Sequence, residues 1–169
     1  PFTEETEVTG LSTLAPLSGL RAERARSGSV DVDWLAGGAE ITVTLFGSQV
    51  DHAVQLVEQN AVLRLVNAGG PSRTYGADIV GKVRREPFGF TASYTYTHAS
   101  ETTPGTGARR AVPLTPRHAA GLVAVYERAG RSRVGFELYY TGRQSLDEDP
   151  YRTRSEPYVI VGALAFGVL

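Results

Sequence analysis

The chain has 169 residues and a formal net charge of −1, with a sequence pI near 6.4, so it lacks the basic face a nucleic-acid binder needs. It contains no cysteine, which removes both a disulfide framework and a thiolate metal site. No run of eighteen apolar residues exists to form a membrane-crossing helix, and a chain beginning at Pro1 without a charged-then-apolar leader reads as mature, trimmed, or a piece of something longer.

Residues 1–20 (PFTEETEVTGLSTLAPLSGL) keep no steady period and read as an irregular loop, with room for a short helical turn around Glu4. From Ser27 to Leu35, Val30, Val32 and Trp34 alternate with Asp31 and Asp33, the period of a strand. In a soluble sheet this strand would be half exposed; in a membrane sheet the apolar residues would meet lipid and the aspartates a wet interior. A tight turn at Ala36-Gly37-Gly38 leads into Ala39–Gln55, where Ile41, Val43 and Leu45 oppose Thr42 and Thr44. This stretch exceeds the roughly 9–11 tilted residues that cross a bilayer. His52–Leu65 also fits helical spacing, but we read strand, turn at Glu58-Gln59-Asn60, and strand again.

Tyr75, Ala77, Ile79, Gly81 and Val83 then share one face, with Asp78, Val80, Lys82 and Arg84 on the other. A tight turn at Glu86-Pro87-Phe88-Gly89 follows. After it, Phe90, Ala92, Tyr94, Tyr96 and His98 oppose the hydroxyl row Thr91, Ser93, Thr95 and Thr97. Residues 101–111 (ETTPGTGARRA) form a loop. Val112–Ser145 reads as a long hairpin about an Arg128–Arg131 turn, its second arm alternating Val134, Phe136, Leu138 and Tyr140 with Arg133, Gly135, Glu137 and Tyr139. Thr115-Pro116 before an Ala-rich run would also start a helix, but Val123, Val125 and Tyr126 favour a strand. Leu146–Pro157 is a charged loop, and Tyr158–Leu169 is apolar on both faces.

Connections thus alternate, tight at 36–38, 86–89 and 128–131, long and polar at 56–61, 101–111 and 146–157. Short turns at one rim and long loops at the other are the habit of outer-membrane barrels. About seven strands leave two unpaired edges, which hydrocarbon does not tolerate, so the expected fold is all-β: an incomplete arc of a larger antiparallel up-and-down transmembrane barrel. The rival is a soluble β-barrel or β-sandwich binding a small ligand, which requires the apolar faces to meet in a dry core.

Three places carry a family resemblance. Asn67-Ala68-Gly69 with Arg73-Thr74-Tyr75-Gly76-Ala77-Asp78 resembles an N-x-G…x-x-Y/W-G-x-E strand entry. Ala92-Ser93-Tyr94-Thr95-Tyr96-Thr97-His98 resembles an ascending SYTYT strand. Leu114-Thr115-Pro116-Arg117-His118 with Tyr140-Thr141-Gly142-Arg143-Gln144 resembles a P-x-T-P-R-H…Y-x-G-R-Q pair. In this order they make residues 21–169 similar to the C-terminal part of the β-barrel of TonB-dependent outer-membrane receptors. The signal peptide, TonB box, plug domain and aromatic-ended final strand of that family are not found. The resemblance implies a Gram-negative outer membrane, a barrel of about 22 strands, and residues 1–20 as an extracellular-side loop. It further implies outer-membrane lipid and a TonB-type inner-membrane coupling protein, acting through the plug, as partners. The cargo would be a scarce nutrient such as a ferric siderophore or cobalamin.

No catalytic constellation stands out. His52, His98 and His118 are too scattered for a spaced metal motif, no G-x-S-x-G elbow exists, and Gly69-Gly70 before Pro71 is no phosphate loop. No cofactor or metal is expected, and no enzyme. Asp147, Glu148 and Asp149 read as a solvated acidic loop rather than a calcium site. Asp31, Asp33, Asp78 and Glu137 read as lumen-lining acids with arginine partners. The outer-rim candidates for ligand contact are His98 and His118 together with Arg109, Arg110 and Arg117, whose guanidinium forks suit an anionic chelate; charged lipid headgroups or plain solvation are the alternative for the arginines.

Overall fold

The computed structural model describes residues 13–17, 19–59, 62–103, 106–128, 131–147 and 149–167. The helical turn around Glu4 and residues Asn60 and Glu148 lie outside them. Among the described residues every regular element is a strand: β1 (Thr13–Leu14), β2 (Arg24–Ala36), β3 (Ala39–Asp51), β4 (Val54–Gln59), β5 (Val62–Asn67), β6 (Ser72–Arg85), β7 (Phe88–Thr102), β8 (Arg109–Ala111), β9 (His118–Arg128), β10 (Ser132–Thr141) and β11 (Tyr158–Gly167). The helix that Thr115-Pro116 would start does not form. The β-branched and aromatic residues of that stretch are paired along their whole length, Val123 with Glu137 and Val125 with Gly135.

The main sheet runs β11-β10-β9-β7-β6-β3-β2, seven strands on one path with β8 added against β7. Each strand neighbours its successor in the chain once the long excursions are set aside, as an up-and-down arc requires. The path does not close on itself among the described residues. A separate sheet of order β1-β5-β4 accounts for the segment between β3 and β6.

This corrects several boundaries. The strand expected over Ala39–Gln55 ends at Asp51, because His52 takes a left-handed backbone with φ 58° and redirects the chain. The two strands expected over His52–Leu65 form as β4 and β5, but Glu58 and Gln59, expected in the turn, belong to β4. The hairpin β4–β5 is a sheet of its own, with β5 pairing β1 in parallel, so part of the supposedly irregular first twenty residues is ordered. The long connections therefore cover 52–71, 103–117 and 142–157. Of the tight ones, that at 86–89 is shorter than expected, since β7 begins at Phe88, and Ala129 and Gly130 of the 128–131 turn lie outside the described residues. The first holds, with Gly37 and Gly38 both at positive φ, 58° and 84°. That is the type I′ geometry that matches strand twist, and only glycine takes it freely at both positions.

Two compact units divide the chain. The first comprises Pro1–Arg26, Ser48–Arg73 and Ser100–Arg110, the second Ser27–Gly47, Thr74–Ala99 and Ala111–Leu169.

Within the second unit, register fixes which side chains share a face. On β10, Val134 pairs with Tyr126 and Ala165, Phe136 with Ala124 and Ala163, Leu138 with Leu122 and Val161, and Tyr140 with Ala120 and Val159. Across β7 and β9, Phe88 pairs with Tyr126, Phe90 with Ala124, Ala92 with Leu122 and Tyr94 with Ala120. Since directly opposed residues project to the same side, one face of four consecutive strands is apolar over this stretch, bounded by Ser132 and Arg128 at one end and by Tyr96 and His118 at the other. Its large members are open: Phe90 is 47% exposed, Val134 47% and Phe136 40%. On β2 and β3, Val30, Val32, Trp34, Ile41 and Leu45 are likewise exposed, while Thr42 Oγ1 donates to Asp33 and Thr44 Oγ1 to Asp31, each at 2.6 Å. No large side chain among the described residues is fully buried. The apolar residues have no core to enter, which removes the premise of the soluble sandwich.

Candidate functional site

The apolar face is bounded by aromatic residues at both ends, and the bounding sets differ in chemistry. Toward the tight turns stand Trp34, Phe88, Phe90 and Tyr126, with Phe88 and Tyr126 rings 5.4 Å apart. Toward the long loops stand Tyr75, Tyr94, Tyr96, His98, His118 and Tyr140. The Tyr75 and His98 rings stack at 4.8 Å, and the Tyr94 hydroxyl is hydrogen-bonded to His118 Nδ1 at 2.7 Å. Tyr96 lies 5.5 Å from the His118 ring. From Phe88 to His98 is ten residues along β7, roughly 33 Å of strand. Tilted near 45°, that is about 23 Å of height, close to the roughly 25 Å apolar band of an outer-membrane barrel. The geometry is that of a lipid-facing belt with an apolar girdle at one end and a hydrogen-bonding one at the other.

The opposite face of the same unit is mixed. β7 contributes Thr91, Ser93 and Thr95, and β10 contributes Arg133, Glu137 and Tyr139. Tyr139 donates to Glu137 Oε2 at 3.2 Å. Three of the four acids expected to pair with arginines are thus met by hydroxyls: Asp31 and Asp33 by threonine, Glu137 by tyrosine. Glycines make this arrangement fit. A Cβ at Gly121 would meet Ser93 Oγ at 2.8 Å and the Tyr139 ring at 3.3 Å, and one at Gly162 would meet Glu137 Oε1 at 2.5 Å. The long side chains of β10 therefore lie down over glycines of the strands on either side.

The rim candidates fall into separate environments. His98 and His118 stand on the apolar face within the aromatic belt. Arg117 is exposed, and its carbonyl accepts from Thr97 N at 3.0 Å. In the first unit, Arg109 donates to the Pro71 and Ser100 carbonyls and to Ser100 Oγ, tying the end of β7 to the start of β6. Arg110 Nε donates to Glu101 Oε1 at 2.8 Å. Both arginines of that pair already have protein partners.

Two features escaped the sequence. In the first unit, Gln55 Nε2 donates to the Thr102 carbonyl at 3.1 Å beside the Glu101–Arg110 pair, and Thr102 is 5% exposed. Gly70 permits this, since a Cβ there would meet Thr102 Oγ1 at 2.6 Å. Nothing in the pattern joins residues 55, 70 and 102, because they lie in two different sheets and a connection and meet only by side-chain contact. In the second unit, the 142–157 loop is a built hairpin. Leu146 N donates to Thr153 O, Ser155 N to Gln144 O, and Asp149 Oδ1 accepts from the amides of Tyr151 and Arg152 at 2.8 and 2.9 Å. Those two amide bonds hold the Asp149 carboxyl below the ordinary carboxylate range. Tyr151, at the tip, is 92% exposed.

Comparison with known proteins agrees with this geometry. A family model described as "TonB dependent receptor-like, beta-barrel" matches residues 5–167. The FrpB iron transporter from Neisseria meningitidis superposes with a TM-score of 0.70 at 14% identity, over 91% of this chain and 26% of that one. The ferric-catecholate import receptor Fiu from E. coli K12 gives 0.64 at 20% identity, covering 89% and 23%. The siderophore receptor PirA from Acinetobacter baumannii gives 0.71 at 14%, covering 91% and 27%. The chain therefore spans about a quarter of the length of the solved structures it matches. Among curated proteins none matches.

Proposed function

This chain belongs to the TonB-dependent receptor family, in its β-barrel part, and we propose that it forms a sector of the wall of an outer-membrane receptor taking up a scarce nutrient, such as a ferric siderophore or cobalamin, by energised transport. The observation that carries this reading is the register across β7, β9, β10 and β11, which sets an unbroken apolar face against one bearing threonine, serine, arginine and glutamate. Such a sheet is stable with lipid on one side and water on the other. Residues 1–20 and the connections over 52–71, 103–117 and 142–157 would then stand at the extracellular rim. Energy would come from a TonB-type inner-membrane protein acting through a plug domain. The reaction is translocation; members of this family are transporters, not enzymes.

For ligand contact the geometry favours Arg117 among the five rim candidates. Its guanidinium is exposed, whereas Arg109 and Arg110 are engaged by Pro71, Ser100 and Glu101. His98 and His118 would serve as headgroup-level members of the aromatic belt. The solved structures it resembles include an iron transporter, a ferric-catecholate import receptor and the copper transporter OprC. This leaves a metal or metal chelate as the proposed cargo class.

The test is uptake by the receptor in outer membranes. Deleting the gene should abolish growth on one chelated metal or cofactor source under limitation, and restoring it should rescue growth only with TonB present. Rescue without TonB would overturn the energised reading. A protein that stays monomeric without detergent would overturn the membrane reading.

A further inference from the structure

The two ends of the lipid-facing belt differ in charge as well as in hydrogen bonding. Around the tight turns that join β6 to β7 and β9 to β10 stand Lys82, Arg84, Arg85, Arg128, Arg131 and Arg133. The acids of the same rim are Glu40, Glu86 and Glu127, in a chain whose formal net charge is −1. Lys82 takes Glu40 at 3.7 Å. All five arginines are exposed, and none is in an ion pair among the described residues. Guanidinium groups crowded along one rim repel one another until an anion settles among them.

Strand register shows on which side they stand. Arg128 pairs with Ser132, two residues beyond the Tyr126–Val134 pair, and so shares the lipid side. Arg133 pairs with Glu127 and Phe166 on the other side. Backbone bonds draw the turns together, from Arg84 N to Gly38 O at 3.1 Å and from Glu127 N to Pro87 O at 2.9 Å. A cavity of about 690 Å³ takes in both faces of the sheet at this edge. Its lining is apolar on the lipid side, from Val83, Phe88 and Phe90, and cationic at the strand ends, from Arg84, Arg128 and Arg133. Phe88 marks the end of the apolar height of the belt, so the cations begin at the depth of lipid headgroups.

Resting on the receptor reading above, we propose that the tight-turn rim is a seat for an anionic phospholipid of the adjoining leaflet. Its acyl chains lie along Val83, Phe88 and Phe90. Its phosphodiester is gripped by Arg128 from the lipid side and by Arg84 and Arg133 reaching round the strand ends, where a guanidinium fork suits phosphate oxygens. A phospholipid is assigned, rather than a free anion, because the cations open onto an apolar surface continuous with the lipid belt. A headgroup of net negative charge is assigned, rather than a zwitterion, because the rim holds more cations than acids and a zwitterion leaves that excess in place. The consequence is a wall held at fixed depth by a charged clamp at the turn end and by hydrogen-bonding aromatics at the loop end.

For the test, the full receptor is reconstituted into phosphatidylethanolamine bilayers carrying either a phosphatidylglycerol or a phosphatidylcholine probe, each with a diazirine near the glycerol end of one acyl chain. After illumination the labelled peptides are identified by mass spectrometry. The seat predicts that the phosphatidylglycerol probe labels the peptide holding Val83–Phe90 roughly fivefold more than the phosphatidylcholine probe, the ratio that one basic residue near a charged surface confers. The preference should vanish in the variant Arg84→Gln/Arg128→Gln/Arg133→Gln, whose folding is confirmed by heat-modifiable gel mobility. It should vanish equally in the unaltered receptor at about 1 M salt, where screening acts within about 3 Å, so the result does not hang on the variant. Equal labelling by the two probes at low salt would overturn the seat, leave the cations to a water-borne partner, and leave the receptor reading intact. A preference abolished by inorganic phosphate at constant ionic strength would overturn the lipid as occupant in favour of a free anion. A preference that survives in the variant would overturn the assignment to these arginines. No labelling of this peptide by either probe would put Phe88 and Phe90 out of lipid and sink both readings.

Discussion

Replacing Phe136 by arginine puts the face assignment under direct load. Phe136 lies mid-strand in β10, five residues from Thr141 and four from Ser132, between Ala124 on β9 and Ala163 on β11. Its neighbours on that face are alanines, so a guanidinium there has no local carboxylate to pair with and too far to reach for either girdle. An arginine at the midplane of a barrel's lipid face costs about 2–4 kcal/mol. That is roughly a 30- to 1000-fold shift in the folding equilibrium. The same substitution at Thr95, on the opposite face and paired with Ala119, meets water and should cost under about 1 kcal/mol. Urea titrations of the protein folded into phospholipid bilayers, followed by tryptophan emission and gel mobility, read both values. Trp34, the single tryptophan, stands on the same apolar face and reports insertion. Indistinguishable stabilities for Phe136→Arg and Thr95→Arg would refute the reasoning.

Other outcomes are equally specific. Gly76→Ala should be severely destabilising, because its Cβ would lie 2.1 Å from the Tyr96 carbonyl oxygen and 2.6 Å from Phe46 Cζ; a loss beyond the ordinary overpacking range of about 1–3 kcal/mol is expected in thermal unfolding, and an unchanged transition would contradict the close strand packing. Glu101→Gln removes the charge that Arg110 faces at 2.8 Å, where both side chains are largely covered, and should loosen the β7–β8 hairpin by about 1–3 kcal/mol, seen as faster hydrogen exchange at the amides of Thr103 and Gly107, which donate to the Ala108 and Thr103 carbonyls. Asp149 binds its proton more weakly in the folded loop than in an unfolded chain. Its contribution is therefore full above the ordinary carboxylate pKa and is lost as pH falls through the lowered folded value. The amide resonances of Tyr151 and Arg152 should lose their hydrogen-bonded shifts together in that acidic range, and Asp149→Ala should abolish them at neutral pH.

The alternation of apolar and polar residues was legible because a strand has a period of two and the faces meet different solvents. Val30/Asp31, Phe90/Thr91 and Phe136/Glu137 all partition as their pattern implies. The first tight turn was legible too, since a left-handed pair between two strands calls for residues like Gly37-Gly38. What the pattern does not carry is anything set by one strand meeting another. The strand–turn–strand read over His52–Leu65 is the β4–β5 hairpin; what the pattern missed is where β3 ends, because that break depends on the backbone of a single residue, His52, that no composition flags. Arg109 and Arg110 looked free to grip a ligand because their partners Pro71, Ser100 and Glu101 are 38, 9 and 9 residues away. The lumen acids were assigned arginines, but hydroxyls were nearer, on the next strand for Asp31 and Asp33 and two residues along the same strand for Glu137. The hydrogen-bonding end of the belt, where His118 meets Tyr94, likewise exists only through the pairing of β7 with β9.

The account depends most on the direction of alternate side chains along β10, and spin labels at each position from Arg133 to Tyr140 test it in a bilayer. Collision rates with oxygen should peak at Val134, Phe136, Leu138 and Tyr140, and those with a water-soluble nickel chelate at Arg133, Gly135, Glu137 and Tyr139, out of phase by one residue. The same two profiles in phase, or with oxygen favouring the odd positions, would contradict a wall with lipid on its apolar face.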